Sequence, residues 1–229
     1  MKKSFILAVV LIGIFYSCSK ESTNEPDLLS SQGEQYKEVK IGNQIWMKKN
    51  LDVSCYQNGD TIPEVTDPSE FHSLTTGAWC YYNNNQMIGE IFGKLYNWYA
   101  VNDPRGLAPF GWHVPSESDW NELISYLGGY KEAGGKLKST GNREDVTGLW
   151  EPPNSGATNQ SQFSAIPGGL LNSAGSSRLY YAGRYWTSTQ TEPGVSSYFI
   201  FSSSTNSVMR NLERQSYGFS VRCIKNKYN

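Results

Sequence analysis

Apolar and polar positions recur along this chain in two registers, and each predicts its own kind of element. In "YKEVKIGNQIWMKKNLDV", Val39, Ile41, Ile45 and Trp46 flank the turn pair Gly42-Asn43, which predicts a β-hairpin. "FGKLYNWYAVND" spaces Leu95, Trp98 and Tyr99 at helical offsets and predicts a short amphipathic helix. In "GWHVPSESDWNEL", Ser116 and Asp119 have the spacing of a capping box, and Trp120, Leu123, Ile124 and Leu127 form one apolar stripe. A helix should therefore start after Ser116 and stop at Gly128-Gly129. Just before it, Trp112 and Val114 fall on one strand face and His113 on the other.

Residues 57–76, punctuated by Gly59, Pro63 and Pro68, read as a loop. After "AGGKLKSTG" the chain is loop-rich to about residue 161, and then "QFSAIPGG", "RYWTSTQ", "SSYFIFSS", "SVMRNL" and "GFSVRCI" read as short strands. Their alternation predicts an antiparallel sheet with one buried face. The plan that results is α+β, two helices packed on a small twisted antiparallel sheet with long loops. No internal repeat is visible.

With 229 residues, 38% of them hydrophobic and 14% aromatic, the chain can bury one substantial core. Lys plus Arg total 20 against 21 Asp plus Glu, with no basic block, which argues against nucleic acid as a partner.

The first twenty residues, "MKKSFILAVVLIGIFYSCSK", change the picture of where this protein works. Two lysines precede an apolar run from Phe5 to Tyr16 that is too short to span a bilayer, followed by Ser17-Cys18 and a polar stretch. This resembles a bacterial lipoprotein signal covering residues 1–17, with Cys18 as the lipid-bearing N-terminus; an uncleaved anchor or an ordinary signal are the alternatives. Several acyl chains on one cysteine would hold the protein on a membrane. Ser19, where an aspartate is linked to inner-membrane retention, favours the outer membrane by the same resemblance. Residues 18–36 then read as a flexible tether, so the folded domain should cover 37–229.

Three further cysteines allow one disulfide in an oxidising compartment. Cys80 and Cys223 sit in strand-like runs and are the expected pair; Cys55, in "DVSCYQNGD", is the expected free thiol. With no CxxC and no HxxxH, a zinc site is not expected.

Candidate catalytic chemistry is thin. His113 stands beside a Pro115-Ser116 corner that calls for geometry rather than proton transfer, and His72 lies in a predicted loop. There is no GxSxG, and Glu117, Asp119 and Glu122 are explained by a helix N-terminus as readily as by a catalytic pair. Glu144, Asp145, Glu151, Asn154 and Asn159 supply oxygen ligands in one region and leave calcium possible, without the spacing of an EF-hand.

Six motifs, "GKLYNWYAVND", "LAPFGWHVPSESDWNEL", "AGGKLKSTG", "WEPPNSGATNQSQFSAIPGG", "YWTST" and "YGFSVRCIKN", together resemble the Fibrobacter succinogenes major paralogous domain family over about residues 37–227. Departures are modest, among them "YWTST" for a more usual "WWSST" and the cysteine at position 55. The resemblance implies a secreted or lipid-anchored domain with a C-type lectin-like fold, distantly similar to formylglycine-generating enzymes; it implies no general activity. Oxidation of the formylglycine type would need a reactive cysteine pair near the C-terminus, where only Cys223 stands.

Binding remains. The segment from Ser176 to Tyr217 is rich in Tyr, Ser, Thr, Asn and Arg, the set that adaptable binding loops use. Tyr180, Tyr181, Tyr185, Tyr198 and Arg210 are the expected ligand-binding residues, with Trp186 expected in the core. The expected function is a non-enzymatic envelope lipoprotein that binds an extracellular glycan or protein through its C-terminal loops, with no cofactor. A polysaccharide-acting enzyme or accessory subunit, or a structural envelope component, are the alternatives.

Overall fold

A computed structural model describes residues 36–227; the signal, Cys18 and the tether up to residue 35 lie outside the described residues. The first hairpin forms as its turn chemistry predicts: β1 (Glu38–Ile41) pairs antiparallel with β2 (Gln44–Met47), with Ile41 opposite Gln44. Beside β2 lies β11 (Ile224–Lys225), and beside that β5 (Trp112–His113), so that the first and last described strands share one sheet. A second sheet is an antiparallel meander of β8 (Ala182–Glu192), β9 (Val195–Ser202) and β10 (Val208–Arg214). Two ribbons complete the set: β3 (Trp79–Cys80) with β4 (Leu95–Tyr96), and β6 (Gly168–Asn172) with β7 (Gly175–Leu179).

The helices are short. They are α1 (Pro68–Ser73), α2 (Gln86–Phe92), α3 (Trp98–Val101), α4 (Glu117–Tyr126) and α5 (Tyr130–Leu137). Two helices on one small twisted sheet is therefore corrected: the described residues hold four sheets, and the longest helix has 10 residues.

Particular residues explain the shift. Leu95 has helical spacing relative to Trp98 and Tyr99, yet its neighbour Tyr96 exchanges backbone hydrogen bonds with Phe219 at 2.9 and 3.0 Å and pairs with Trp79 on its other side. Tertiary partners override a weak local preference. Asn97 then accepts from the amides of Ala78 and Ala100, both at 3.0 Å, which delays the helix to residue 98. The predicted helix at Ser116 does form. Its capping box is complete, the Ser116 hydroxyl facing the Asp119 amide and the Asp119 carboxylate accepting from the Ser116 amide at 2.8 Å.

α5 was masked in the sequence by Gly134 and Gly135, poor helix formers. Both are required there: a Cβ on Gly134 would come within 2.5 Å of the Ser207 carbonyl oxygen, and one on Gly135 within 2.2 Å of that of Gly156. The helix lies backbone against backbone on its neighbours.

The meander is buried on both faces at its centre, which corrects the expected single buried face. Trp186, Tyr198 and Ile200 enter one apolar cluster with Trp98 and Phe219. Alternate residues Tyr185, Phe199 and Phe201 enter another with Trp46, Trp120 and Phe163. Trp120 is the hub of the second cluster, with ring centroids of Trp46, Phe163, Tyr185, Phe199 and Phe201 all within 6.1 Å. Each such ring contributes about 2 kcal/mol or more through burial.

Among the described residues, Arg222 and Lys138 have no exposure, and Lys94 is buried beside Asp52. The Arg222 guanidinium, fully buried, donates to Asn50 Oδ1 at 2.6 Å and to the Phe163 carbonyl at 2.6 Å, and lies 4.6 Å from the Phe163 ring. The Lys138 ammonium donates to the carbonyls of Ser155, Ser202 and Thr205 at 3.0, 2.9 and 2.8 Å. Burial pulls its pKa down to about 8, so it remains charged at neutral pH. It ties the 155 loop to the end of β9 and to the middle of the β9–β10 connection.

Candidate functional site

The His113 corner shows how much chemistry the histidine could do. His113 Nδ1 lies 2.7 Å from Asn226 Oδ1 and Nε2 lies 3.6 Å from Asp119 Oδ2. With acceptors at both nitrogens the ring is stabilised in its protonated form; the Asp119 bond, more than any other contact, raises its pKa, and Asp119 is lowered to about 2. Ser116 Oγ donates to Asp119 at 2.6 Å instead of to the histidine, so the three side chains are not arranged as nucleophile, base and orienter. His72 falls in α1, not in a loop, with Nδ1 3.2 Å from the Ser216 hydroxyl and its ring edge on Tyr217.

The cysteine pairing is also corrected. Cys80 and Cys223 are both free and buried, each in a different apolar cluster. Burial raises the Cys80 thiol to about 12 and the Cys223 thiol further, so neither is a nucleophile at neutral pH. Cys55, expected as the free thiol, is not free.

Three of the oxygen ligands considered for calcium have local partners: Asp145 accepts from Asn142, Glu151 faces Arg143, and Asn159 Oδ1 accepts from the Ser164 amide. Buried Asn154 donates its amide nitrogen to the carbonyls of Ser139 and Gly141, while its Oδ1 has no hydrogen-bond partner. Among the described residues no three His, Cys, Asp or Glu side chains cluster as a metal site.

Of the five expected ligand-binding residues, the structure brings two together at the surface. Tyr185 is fully buried and Tyr198 nearly so, because the two-sided burial of the meander takes their rings inward. Arg210 is held elsewhere, its Nη2 donating to Glu117 at 2.9 Å beside the start of α4. Tyr180 and Tyr181 form the turn between β7 and β8, and Tyr181 is 49% exposed.

That turn is built under strain. Arg178 and Tyr180 adopt φ of 63° and 69°, in the left-handed region that a side chain disfavours by roughly 1 kcal/mol each. Neighbouring bonds hold it: the Glu151 amide donates to the Tyr180 carbonyl at 2.8 Å, and the Ser203 amide to that of Tyr181 at 2.9 Å. The Arg143 guanidinium stacks 3.7 Å from the Tyr180 ring and pairs with Glu151 at 3.3 Å. The opposite edge of Tyr180 meets Phe92 at 5.8 Å. The result is a small platform, the Arg143 guanidinium on the Tyr180 ring beside the Arg143–Glu151 ion pair, with the exposed Tyr181 phenol next to it in the chain.

Sequence reasoning missed Arg143. Nothing local links it to Tyr180, and only folding places the two segments in contact.

Comparison with known proteins gives one match. The model of the Fibrobacter succinogenes major domain matches residues 39–225. No curated protein and no solved structure matches the chain significantly, so the lectin-like likeness receives no support from a known fold.

Proposed function

We propose that this chain, which belongs to the Fibrobacter succinogenes major domain family, is a non-catalytic binding lipoprotein of the bacterial cell envelope. In this reading acyl chains on Cys18 hold it at the outer membrane, and an extracellular glycan or protein is engaged through the loops after residue 140. One observation carries the reading: the Arg143 guanidinium stacked on Tyr180 beside the exposed Tyr181, at a turn that holds Arg178 and Tyr180 in strained backbone positions. Strain kept at a surface turn needs a return, and rigid aromatic anchors supply one by binding with little entropy to lose.

The test uses the full-length protein in detergent, probed against arrays of cell-surface glycans and of extracellular proteins. Saturable binding that is lost in Arg143→Ala combined with Tyr181→Ala supports the proposal. Release of oligosaccharides from a polysaccharide by the intact protein, or the finding that every ligand the arrays detect binds the doubly substituted protein unchanged, overturns it. Separately, Cys18→Ala should release the protein from membranes or block its processing; unchanged fractionation would remove the anchor from the proposal.

A further inference from the structure

A cleft of about 470 Å³ lies on another part of the molecule, between the first hairpin, the end of α4, α5 and the 160–162 segment. None of the platform residues lines it. It is a half-open surface cleft, not an enclosed cavity.

The lining has a consistent chemistry. Tyr126, the last residue of α4, is 66% exposed, and its ring rests against the hairpin turn at Gly42. Gly42 has φ of 60°, which suits glycine at the turn, and a Cβ there would lie 3.1 Å from that ring, so the tyrosine packs closely over the turn. Lys136 donates from Nζ to the Leu127 carbonyl at 2.9 Å, which fixes an ammonium at the wall with two protons to spare. Lys40, exposed on β1, adds a second positive residue. Gln160 and Gln162 are exposed on the opposite side, and the segment that carries them is pinned by the Ser161 hydroxyl donating to the Lys136 carbonyl at 2.8 Å. Gln162 sits at φ of 59°, a further strained position at the rim. No carboxylate is among the lining residues.

We infer that this cleft binds an acidic saccharide. A pyranose presents an apolar C–H face, which the Tyr126 ring covers; hydroxyls that both donate and accept, which the two glutamine amides match; and, in a uronic acid, a carboxylate, which Lys40 and Lys136 meet. Two lysines without an acid disfavour a neutral sugar as the best ligand, since their charge would go uncompensated.

Calorimetric titration of the full-length protein in detergent tests this, with a short oligogalacturonate, a neutral oligogalactoside of equal length and an oligoglutamate as probes. The oligogalacturonate should bind with an affinity that falls as salt rises, and the neutral sugar roughly tenfold more weakly or worse. Tyr126→Ala and Lys40→Gln, both at exposed positions, should each weaken binding several-fold while leaving the melting temperature almost unchanged. Arg143→Ala with Tyr181→Ala should leave it intact, which separates this site from the platform. The inference is overturned by equal binding of the neutral sugar, by oligoglutamate binding as tightly, by indifference to Tyr126→Ala, or by no heat up to about 10 mM saccharide.

Discussion

Lys136 and Lys138 stand two residues apart, one in the last turn of α5 and the other at its C-cap, and the fold sends them to opposite surroundings. Lys138 goes inward, where three backbone carbonyls take its protons, while Lys136 stays half-exposed on the wall of a cleft with one carbonyl partner. The same division separates Tyr185, at 0% exposure inside the aromatic cluster, from Tyr126, at 66% on the cleft rim. Identical residue types thus serve cohesion on one side of the molecule and stand available to a ligand on the other. What separates them is the number of buried partners, because a charge or a phenol out of water is tolerated only where its hydrogen bonds are replaced.

The widest gap should appear between the tyrosines. Tyr185→Ala removes a ring from a packed cluster along with its bonds to Ile166, and should cost about 3–5 kcal/mol in chemical denaturation, whereas Tyr126→Ala should change stability by less than about 0.5 kcal/mol. Equal costs would break the distinction.

Next come the lysines. Lys138→Met takes the buried ammonium from three carbonyls at once and should cost about 3 kcal/mol; Lys136→Met, which loses one contact at the α4 C-terminus, should cost about 0.5–1 kcal/mol. A Lys138→Met protein as stable as the parent would show that the ammonium is replaceable by water.

Thiol chemistry sharpens the sealed side. In alkylation of the native protein, Cys80 and Cys223 should remain unlabelled because burial protects them and raises both pKa values, and both should label without reductant once the chain is unfolded. A peptide map that links the two would restore the disulfide.

The smallest effect belongs to the exposed corner. The pKa of His113 is raised above 6.5, so its contribution is fully present below that pH and is lost as pH rises through the folded value. Asp119 is lowered from 3.8 to about 2, so its contribution is present above about pH 4 and fades as pH falls through 2. Stability followed against pH should show both shallow slopes, and His113→Gln should flatten the upper one. It should also leave ligand binding unaltered, since the ring orients a corner; selective loss of an activity would return it to catalysis.

How far the sequence carries is clearest in adjacent elements. Gly42-Asn43 turns the first hairpin as its chemistry demands, and Ser116 with Asp119 starts α4, because each signal is completed by atoms within a few residues. "GKLYNWYAVND" misleads for the opposite reason: Tyr96 is decided by Trp79 and Phe219, far away in sequence. The proposed binding surface is half legible. The tyrosine-rich tail points to Tyr180 and Tyr181, but alternation within a strand cannot say that both faces are covered, so the same pattern also offers Tyr185 and Tyr198, whose rings are buried.

By itself, then, the sequence determined the family, the capped α4, the first hairpin and most of the strands of the meander, since these depend on local bonds, periodicity and recurring motifs. The tertiary structure alone decided which cations and phenols are sealed and which are offered: Lys138 against Lys136, Tyr185 against Tyr126, Arg143 over Tyr180. Those outcomes depend on burial and on partners contributed from distant segments, and a linear pattern carries neither.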